Sequence, residues 1–231
     1  MATTKAAKEK TKKNGGQAYF TVELTMTESL LGSTPKNKNV YETFIATKAQ
    51  EFKGDDGVPQ TDDEIATAID DTEARGWTGF HHEDGDPSKR PLIYNYVVKG
   101  FLKAACGAMR DVGDSASSGM SAYKTKIDKL AFVYPRHIVL EMPAGSKMGV
   151  LERPLRAETA QGPRVTLARS DTSPAGTKLR FEVMTLNDGI IGEEQLREWF
   201  DYGQYSGLGQ WRSGGNGTFT FTLTAGRMGK G

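Results

Sequence analysis

Two amphipathic helical patterns, each set between strand patterns, limit the folds open to this chain of 231 residues more than any other feature. In the first, residues 94–109, apolar side chains recur at the three- and four-residue spacing of a helix that packs on a sheet. The second spans residues 193–202 and is followed by Gly203, which is predicted to cap it. Both helices need a sheet to cover their apolar faces.

Strand patterns surround both helices. Alternating or continuous apolar runs predict five strands, at residues 18–26, 130–134, 137–142, 178–186 and 218–223. The order is close to the β-α-β-β-α-β ferredoxin-like pattern, whose four-stranded antiparallel sheet and two backing helices also underlie RRM-like RNA-binding modules. The sequence therefore predicts a single α+β domain over residues 17–231.

Three polar segments interrupt this pattern. Residues 1–16 are lysine-rich and end in two glycines, so they are predicted to be a flexible basic leader, either a solvated tail or a nucleic-acid-binding arm. Residues 37–90 are acidic and rich in Gly and Pro, which predicts a large insertion that projects from the core. Residues 144–173 lack clear apolar periodicity and are predicted to be a loop.

Composition argues against several classes of protein. Hydrophobic residues make up 37% of the chain, and no apolar run approaches the roughly 18 residues of a membrane span. The N-terminus has no apolar segment typical of a secretory signal, so a soluble, cytoplasmic protein with no membrane partner is expected. The net charge of +1 argues against a protein that coats duplex DNA. The single cysteine, Cys106, is expected to be an inert core residue.

The most specific local signal is the glycine-rich segment 207–217. Its glycines allow the backbone to approach a phosphate closely, and polar side chains beside them offer donors, so the predicted contacts are Gly207, Gly209, Gln210, Arg212, Ser213 and Gly214. The segment lacks the Gly-Lys-Ser/Thr end of a P-loop and precedes a strand, which disfavours nucleotide hydrolysis. A plain hairpin loop is the alternative.

Two groups of cations are candidates for contacts with nucleic acid. Guanidinium groups bind phosphates and stack on bases, and the predicted loop carries four of them, at Arg153, Arg156, Arg164 and Arg169. Surface ion pairs with Glu152, Glu158 and Asp171 are the alternative. Lys99 and Lys103 lie one helical turn apart on the first helix, where an ordinary solvated face is the alternative.

Neither a metal site nor a catalytic site is predicted. His81, His82 and the acidic residues after them are adjacent in sequence, which makes convergence on one ion difficult, and no second His/Cys cluster completes a tetrahedral set. His137 lacks an evident partner for nucleophilic or acid–base chemistry. No cofactor is predicted.

Three segments, in the same order along the chain, resemble the RAMP superfamily of CRISPR-associated proteins, which are built on RRM-like folds. The glycine-rich segment looks like the C-terminal glycine-rich loop of that family. Pro91-Leu92-Ile93, followed by Lys99-Gly100, Leu102 and Lys103, is similar to the start of its first helix. Pro174-Ala175-Gly176-Thr177, ahead of Phe181-Glu182-Val183, resembles the turn and strand before the second helix in backbone subunits.

The resemblance implies a non-catalytic backbone subunit of a CRISPR-type ribonucleoprotein effector in antiviral defence. Its partners would be a single-stranded guide RNA, the complementary target, other effector subunits and copies of itself stacked along the guide in a helical or filamentous assembly. The insertion 37–90 would be thumb-like, and the loop 144–173 would face RNA. RNA-processing ribonuclease activity, with His81, His82 or His137 as general base, and a virus-encoded structural role are the alternatives.

Two departures from the family pattern bear on these roles. Tyr94, Asn95, Tyr96 and Val97 stand where family members usually have Pro-Gly-Ser-Ser, so contacts from small hydroxyl residues are not expected there. Residues 30–40 contain no Asp or Glu, whereas target-cleaving members carry an aspartate in the corresponding loop. Cleavage of a target strand is therefore not expected.

Overall fold

The computed structural model describes residues 16–36, 77–159, 162–186 and 189–228. Within these ranges the elements are, in chain order, β1 (Gln17–Met26), β2 (Leu30–Leu31), β3 (Thr34–Pro35), β4 (Trp77–Gly79), β5 (His81–His82), β6 (Pro91–Tyr94), α1 (Asn95–Met109), α2 (Tyr123–Leu130), β7 (Ala131–Tyr134), β8 (His137–Val139), β9 (Gly149–Thr159), β10 (Gly162–Ser173), β11 (Lys178–Leu186), α3 (Glu193–Ser206) and β12 (Phe219–Ala225). Two 3-10 turns, Glu83–Gly85 and Arg212–Gly214, complete the set.

The central element is a four-stranded antiparallel sheet in the order β12-β1-β11-β7. Together with α1 and α3, these strands follow the chain order β-α-β-β-α-β. Counted along the chain, the spatial order of the four strands is fourth, first, third, second. This arrangement confirms the predicted α+β, ferredoxin-like fold class.

The core lies between this sheet and the two helices. In β1 the side chains alternate, and Phe20, Val22, Leu24 and Met26 are buried. Each helix buries one stripe against the sheet, and the two stripes meet at aromatic rings. The ring centroid of Phe101 in α1 lies 5.9 Å from that of Phe200 in α3.

Two smaller sheets extend from this layer. One has the order β2-β10-β4-β3, with β9 also paired to β10, and the other has the order β5-β6-β8. Residues 77–90, the last part of the predicted insertion, supply β4, which pairs in parallel with β10, and β5, which pairs with β6. Residues 37–76 and the predicted leader up to residue 15 lie outside the described residues.

The prediction of a loop at residues 144–173 is wrong for most of its length. β9 and β10 form an antiparallel hairpin, with backbone pairs from Gly149 opposite Thr172 to Thr159 opposite Gly162. The sequence shows no strand period in its first half because residues 149–154 are all exposed, so no face of β9 needs apolar residues there.

The predicted end of the second helix is also wrong. α3 continues past Gly203 to Ser206, and Gly207 follows it with a positive φ of 70°. Gly203 is buried inside the helix, where a side chain would collide with the rings of Phe101 and Phe219. The residue is glycine because the helix lies very close to these rings.

A buried carboxylate holds the second sheet together. Asp171 in β10 accepts hydrogen bonds from the indole Nε1 of Trp77 and from the Lys36 ammonium, each 2.9 Å long. The side chain of Asp171 is only 7% exposed. Asp171, one of the three acidic residues named as alternative partners of the hairpin arginines, is therefore bound to lysine and tryptophan instead.

None of the helices in the described ranges is long and apolar enough to cross a membrane.

Candidate nucleic-acid interface

The glycine-rich segment forms a compact loop between α3 and β12. The amide of Leu208 donates to the carbonyl of Gly217 (2.7 Å), and the amide of Gly217 donates to the carbonyl of Ser29 (2.9 Å). The side chain of Leu208 is fully buried in the core. The loop is thus closed on itself and joined to the segment between β1 and β2, which restricts where its exposed side chains can lie.

Gln210 anchors the loop to the second sheet. Its Nε2 donates to the carbonyl of Gly32 (2.8 Å) and to the hydroxyl of Thr78 (2.5 Å). The amide predicted as a donor to nucleic acid is therefore used within the protein, and Gln210 is a positioning residue in this structure. Its bonds orient the backbone that leads into Trp211.

Trp211 and Arg153 form the most distinctive contact at this surface. Trp211 has a positive φ of 53°, which is uncommon for a large side chain. The guanidinium carbon of Arg153 lies 5.6 Å from the centroid of the Trp211 ring, in the range of a cation–π contact. β9 thus delivers an arginine of the predicted set onto the glycine-rich loop.

The loop, the hairpin and the two large helices together line an open cleft of about 880 Å³. Its aromatic residues are Tyr202, Tyr205 and Trp211, and its cations are Arg153 and Arg212. Tyr205 is 85% exposed, an unusual state for an aromatic side chain. Among the lining residues that the structure describes there is no carboxylate, so the cleft suits a planar, negatively charged ligand.

The charge of the cleft is not compensated within the described part of the chain. There, neither Arg153 nor Arg212 forms an ion pair. Arg169, by contrast, pairs with Glu152 across the hairpin at 2.8 Å, as the ion-pair alternative anticipates. Arg153 and Arg169 are both predicted to contact RNA, but their contacts in the structure differ.

For three of the other residues predicted to contact RNA, the structure describes the backbone but not the side chain. The backbone of Arg156 lies opposite Val165 and that of Arg164 opposite Ala157, but both side chains are outside the described residues. The side chain of Ser213 is likewise outside them, whereas Gly214 is exposed at the end of the 3-10 turn. Their roles in RNA binding stay predictions.

The predicted lysine pair lies at the junction of α1 and α2. Lys103 forms an ion pair with Asp128 at 2.7 Å, and Lys99 lies 3.6 Å from the same carboxylate. Burial lowers the pKa of Lys99, and Asp128 acts in the opposite direction. Two lysines share one carboxylate, so the pair keeps a net positive charge, although it lies apart from the residues that line the cleft.

The sequence interpretation missed the aromatic residues of this interface. Trp211 lies inside the segment singled out for its glycines, Tyr202 is the last residue of the predicted helix, and Tyr205 lies beyond the predicted end of that helix. Trp211 could have been recognised from the sequence as a candidate contact residue. Its neighbours are glycines and polar residues, which cannot form a hydrophobic core around its ring.

The arrangement of the titratable side chains in the described residues does not form a metal site. Among the described residues, no three His, Cys, Asp or Glu side chains come together in an arrangement that would hold an ion. Cys106 is buried in the core, and burial raises the pKa of its thiol.

Comparison with known proteins links the chain to others through its fold. No protein-family model matches the sequence, and no curated protein matches it. A matching solved structure is a chain in a cryo-EM structure of Type III-B Cmr-beta bound to cognate target RNA, with a TM-score of 0.51 and 9% sequence identity. The match covers 90% of this chain and 60% of that one. At this identity the likeness concerns the fold alone.

Proposed function

We propose that this chain is a non-catalytic subunit that binds single-stranded RNA within a CRISPR-type ribonucleoprotein. The observation that carries the proposal is the cleft in which Arg153 lies over the ring of Trp211, next to Arg212 and the exposed Tyr205. Aromatic rings beside guanidinium groups bind single strands largely without regard to sequence, because every base can stack on a ring and the cations attract the phosphates. The fold it shares with a chain from an RNA-bound Cmr-beta structure supports the same class of ligand.

Each part of the cleft has a separate task in this proposal. An unstacked base lies on Trp211 or Tyr205, while Arg153 and Arg212 bind the phosphates on either side of it. The glycine backbone next to these residues carries no side chain that would hold the strand away. Arg156 and Arg164, further along the hairpin, would extend the phosphate path.

Variants of the cleft should separate stacking from charge. Trp211→Ala is expected to weaken binding to unstructured RNA about 5- to 150-fold, because stacking contributes about 1–3 kcal/mol per base, whereas Trp211→Phe keeps most of the affinity. Replacing Arg153 and Arg212 together by Ala should lower the slope of log affinity against log salt by about 1.4, or about 0.7 for each phosphate contact. Fluorescence anisotropy over a salt series measures both quantities.

Arg180→Ala is the matched control for charge. Arg180 already pairs with Glu23 at 2.8 Å on the central sheet, so its removal should leave the salt slope unchanged. If the variants with Ala at 153 and 212 bound with the wild-type slope, and Trp211→Ala bound with wild-type affinity, the cleft would not be the RNA site.

Assembly along RNA is the second test of the proposed function. The exposed apolar side chains of Val150, Leu151 and Leu167 on the hairpin, with 51%, 37% and 48% exposure, are available for contact with a neighbouring copy. A head-to-tail contact that leaves the assembly open repeats along the RNA, so the number of bound copies should increase with RNA length. Light scattering on complexes with RNAs of increasing length measures this number. A constant stoichiometry of one copy per RNA would contradict the assembly.

A further inference from the structure

The small third sheet brings two of the three histidines of this protein to the start of α1. Tyr94, the last residue of β6, lies directly opposite His137 of β8, and His81 of β5 lies opposite Leu92, two residues before Tyr94. The ring of Tyr94 therefore has a histidine on each side. The centroid distances are 4.5 Å to His81 and 5.0 Å to His137, both edge-on.

Tyr96 adds a parallel ring to this arrangement. Its centroid lies 5.6 Å from that of Tyr94, with 13° between the ring planes, and its side chain is 53% exposed. Tyr94 is held from both sides and α1 begins at the next residue, so the stacked pair is built on regular structure rather than on a free loop. We call Tyr94, Tyr96, His81, His137 and Arg136 the α1-start cluster.

Arg136 supplies the positive charge of the α1-start cluster. Its guanidinium carbon lies 5.8 Å from the centroid of Tyr94, and its backbone carbonyl accepts a hydrogen bond from the amide of Asn95 (2.9 Å). Within the described residues it forms no ion pair. Burial lowers the pKa of His81, and His137 and His82 act in the same direction.

A path of small side chains leads from the α1-start cluster to the Trp211 cleft. Val97 lines a narrow pocket beside Tyr96, Gly100 is exposed, and Ala104 lines the cleft itself. These positions lie on successive turns of one face of α1, and Val97 and Ala104 are about 10 Å apart along the helix axis. A single strand is long enough to touch both sites at once.

We propose that the α1-start cluster is a second contact for single-stranded RNA, at which an unstacked nucleobase extends the Tyr94–Tyr96 stack while Arg136 binds the adjacent phosphate. This inference rests on the proposed RNA-binding function and adds a defined base site to it. The ring pair offers a flat π surface to any base, so the contact tolerates sequence changes.

The test is a set of tyrosine variants, measured by anisotropy with the same RNA. Tyr96→Ala should weaken binding about fivefold or more, and Tyr96→Phe should stay within roughly twofold of wild type, because the ring and not the hydroxyl carries the stack. Tyr134→Ala is the matched control, since Tyr134 is 47% exposed and lies on an edge strand outside the ring pair. It should bind as wild type does.

An RNA with abasic positions provides a second readout. If the stack holds a base, wild-type protein loses affinity when the base that occupies this site is missing, whereas Tyr96→Ala shows a smaller loss at the same position. Equal affinities of wild type and Tyr96→Ala for intact RNA would overturn the inference alone. A wild-type protein that binds no RNA would overturn the proposed function, and this inference with it.

Discussion

Replacing Gly209 by Val is expected to remove RNA binding while the central sheet and its helices remain folded. Gly209 has a φ of 85°, which a β-branched residue adopts only with severe strain. A Cβ atom here would also lie 3.0 Å from the Leu30 side chain and 3.1 Å from the Leu31 carbonyl oxygen. The loop must therefore move, and the residues next in the chain, Gln210 and Trp211, move with it.

The expected loss of affinity is about tenfold or more, because the stack on Trp211 and the neighbouring arginine contact are displaced together. Anisotropy measures the affinity, and circular dichroism checks the fold. Gly113→Val is the control, since no atom lies within 4 Å of a Cβ atom at that position. A folded Gly209→Val variant with wild-type affinity would mean that the segment is only a connection between α3 and β12.

Two glycine-to-alanine substitutions are expected to change stability in opposite directions. In a helix interior, Ala normally stabilises relative to Gly by about 0.5–1 kcal/mol, and Gly100→Ala in α1 should follow this rule because nothing lies within 4 Å of its new methyl group. Gly203→Ala in α3 should instead destabilise by about 1–3 kcal/mol, because the methyl group collides with the rings of Phe101 and Phe219.

Chemical denaturation of the two variants measures this difference as shifts of the midpoint at constant slope. Gly203→Val should be less stable still, because it adds two further methyl groups at the same contact. A stabilised Gly203→Ala variant would show that α3 can move away from Phe101 and Phe219 without loss, and that this part of the core is looser than the structure indicates.

The sequence supports the fold class through signals that are local in the chain. The alternation from Phe20 to Met26 and the helical stripe through Phe101 reflect which face of each element is buried, and one buried face produces one clear period. The order of those elements is enough to predict the ferredoxin-like sheet. The hairpin of β9 and β10 is missed because residues 149–154 have no buried face and therefore no period.

The candidate site is less accessible from sequence because its parts are far apart in the chain. The glycine-rich segment can be recognised directly, but Arg153 is distinguished from Arg169 only by tertiary contacts, since one lies over Trp211 and the other pairs with Glu152. Similarly, the ring contacts of His81 and His137 with Tyr94 depend on the pairing of three separate strands. No local pattern contains that pairing.

By itself, the sequence determined the strands of the central sheet, the two helices that back it, their order along the chain and the presence of a glycine-rich segment and arginines, because these depend on periodicity and residue type along short stretches. Only the tertiary structure decided which cations remain unpaired within the described residues, which amides are used internally, as in Gln210, and which aromatic rings meet. The reason is physical: hydrogen bonds, ion pairs and ring stacks are set by distances of a few ångströms between residues that the chain brings together only when it folds.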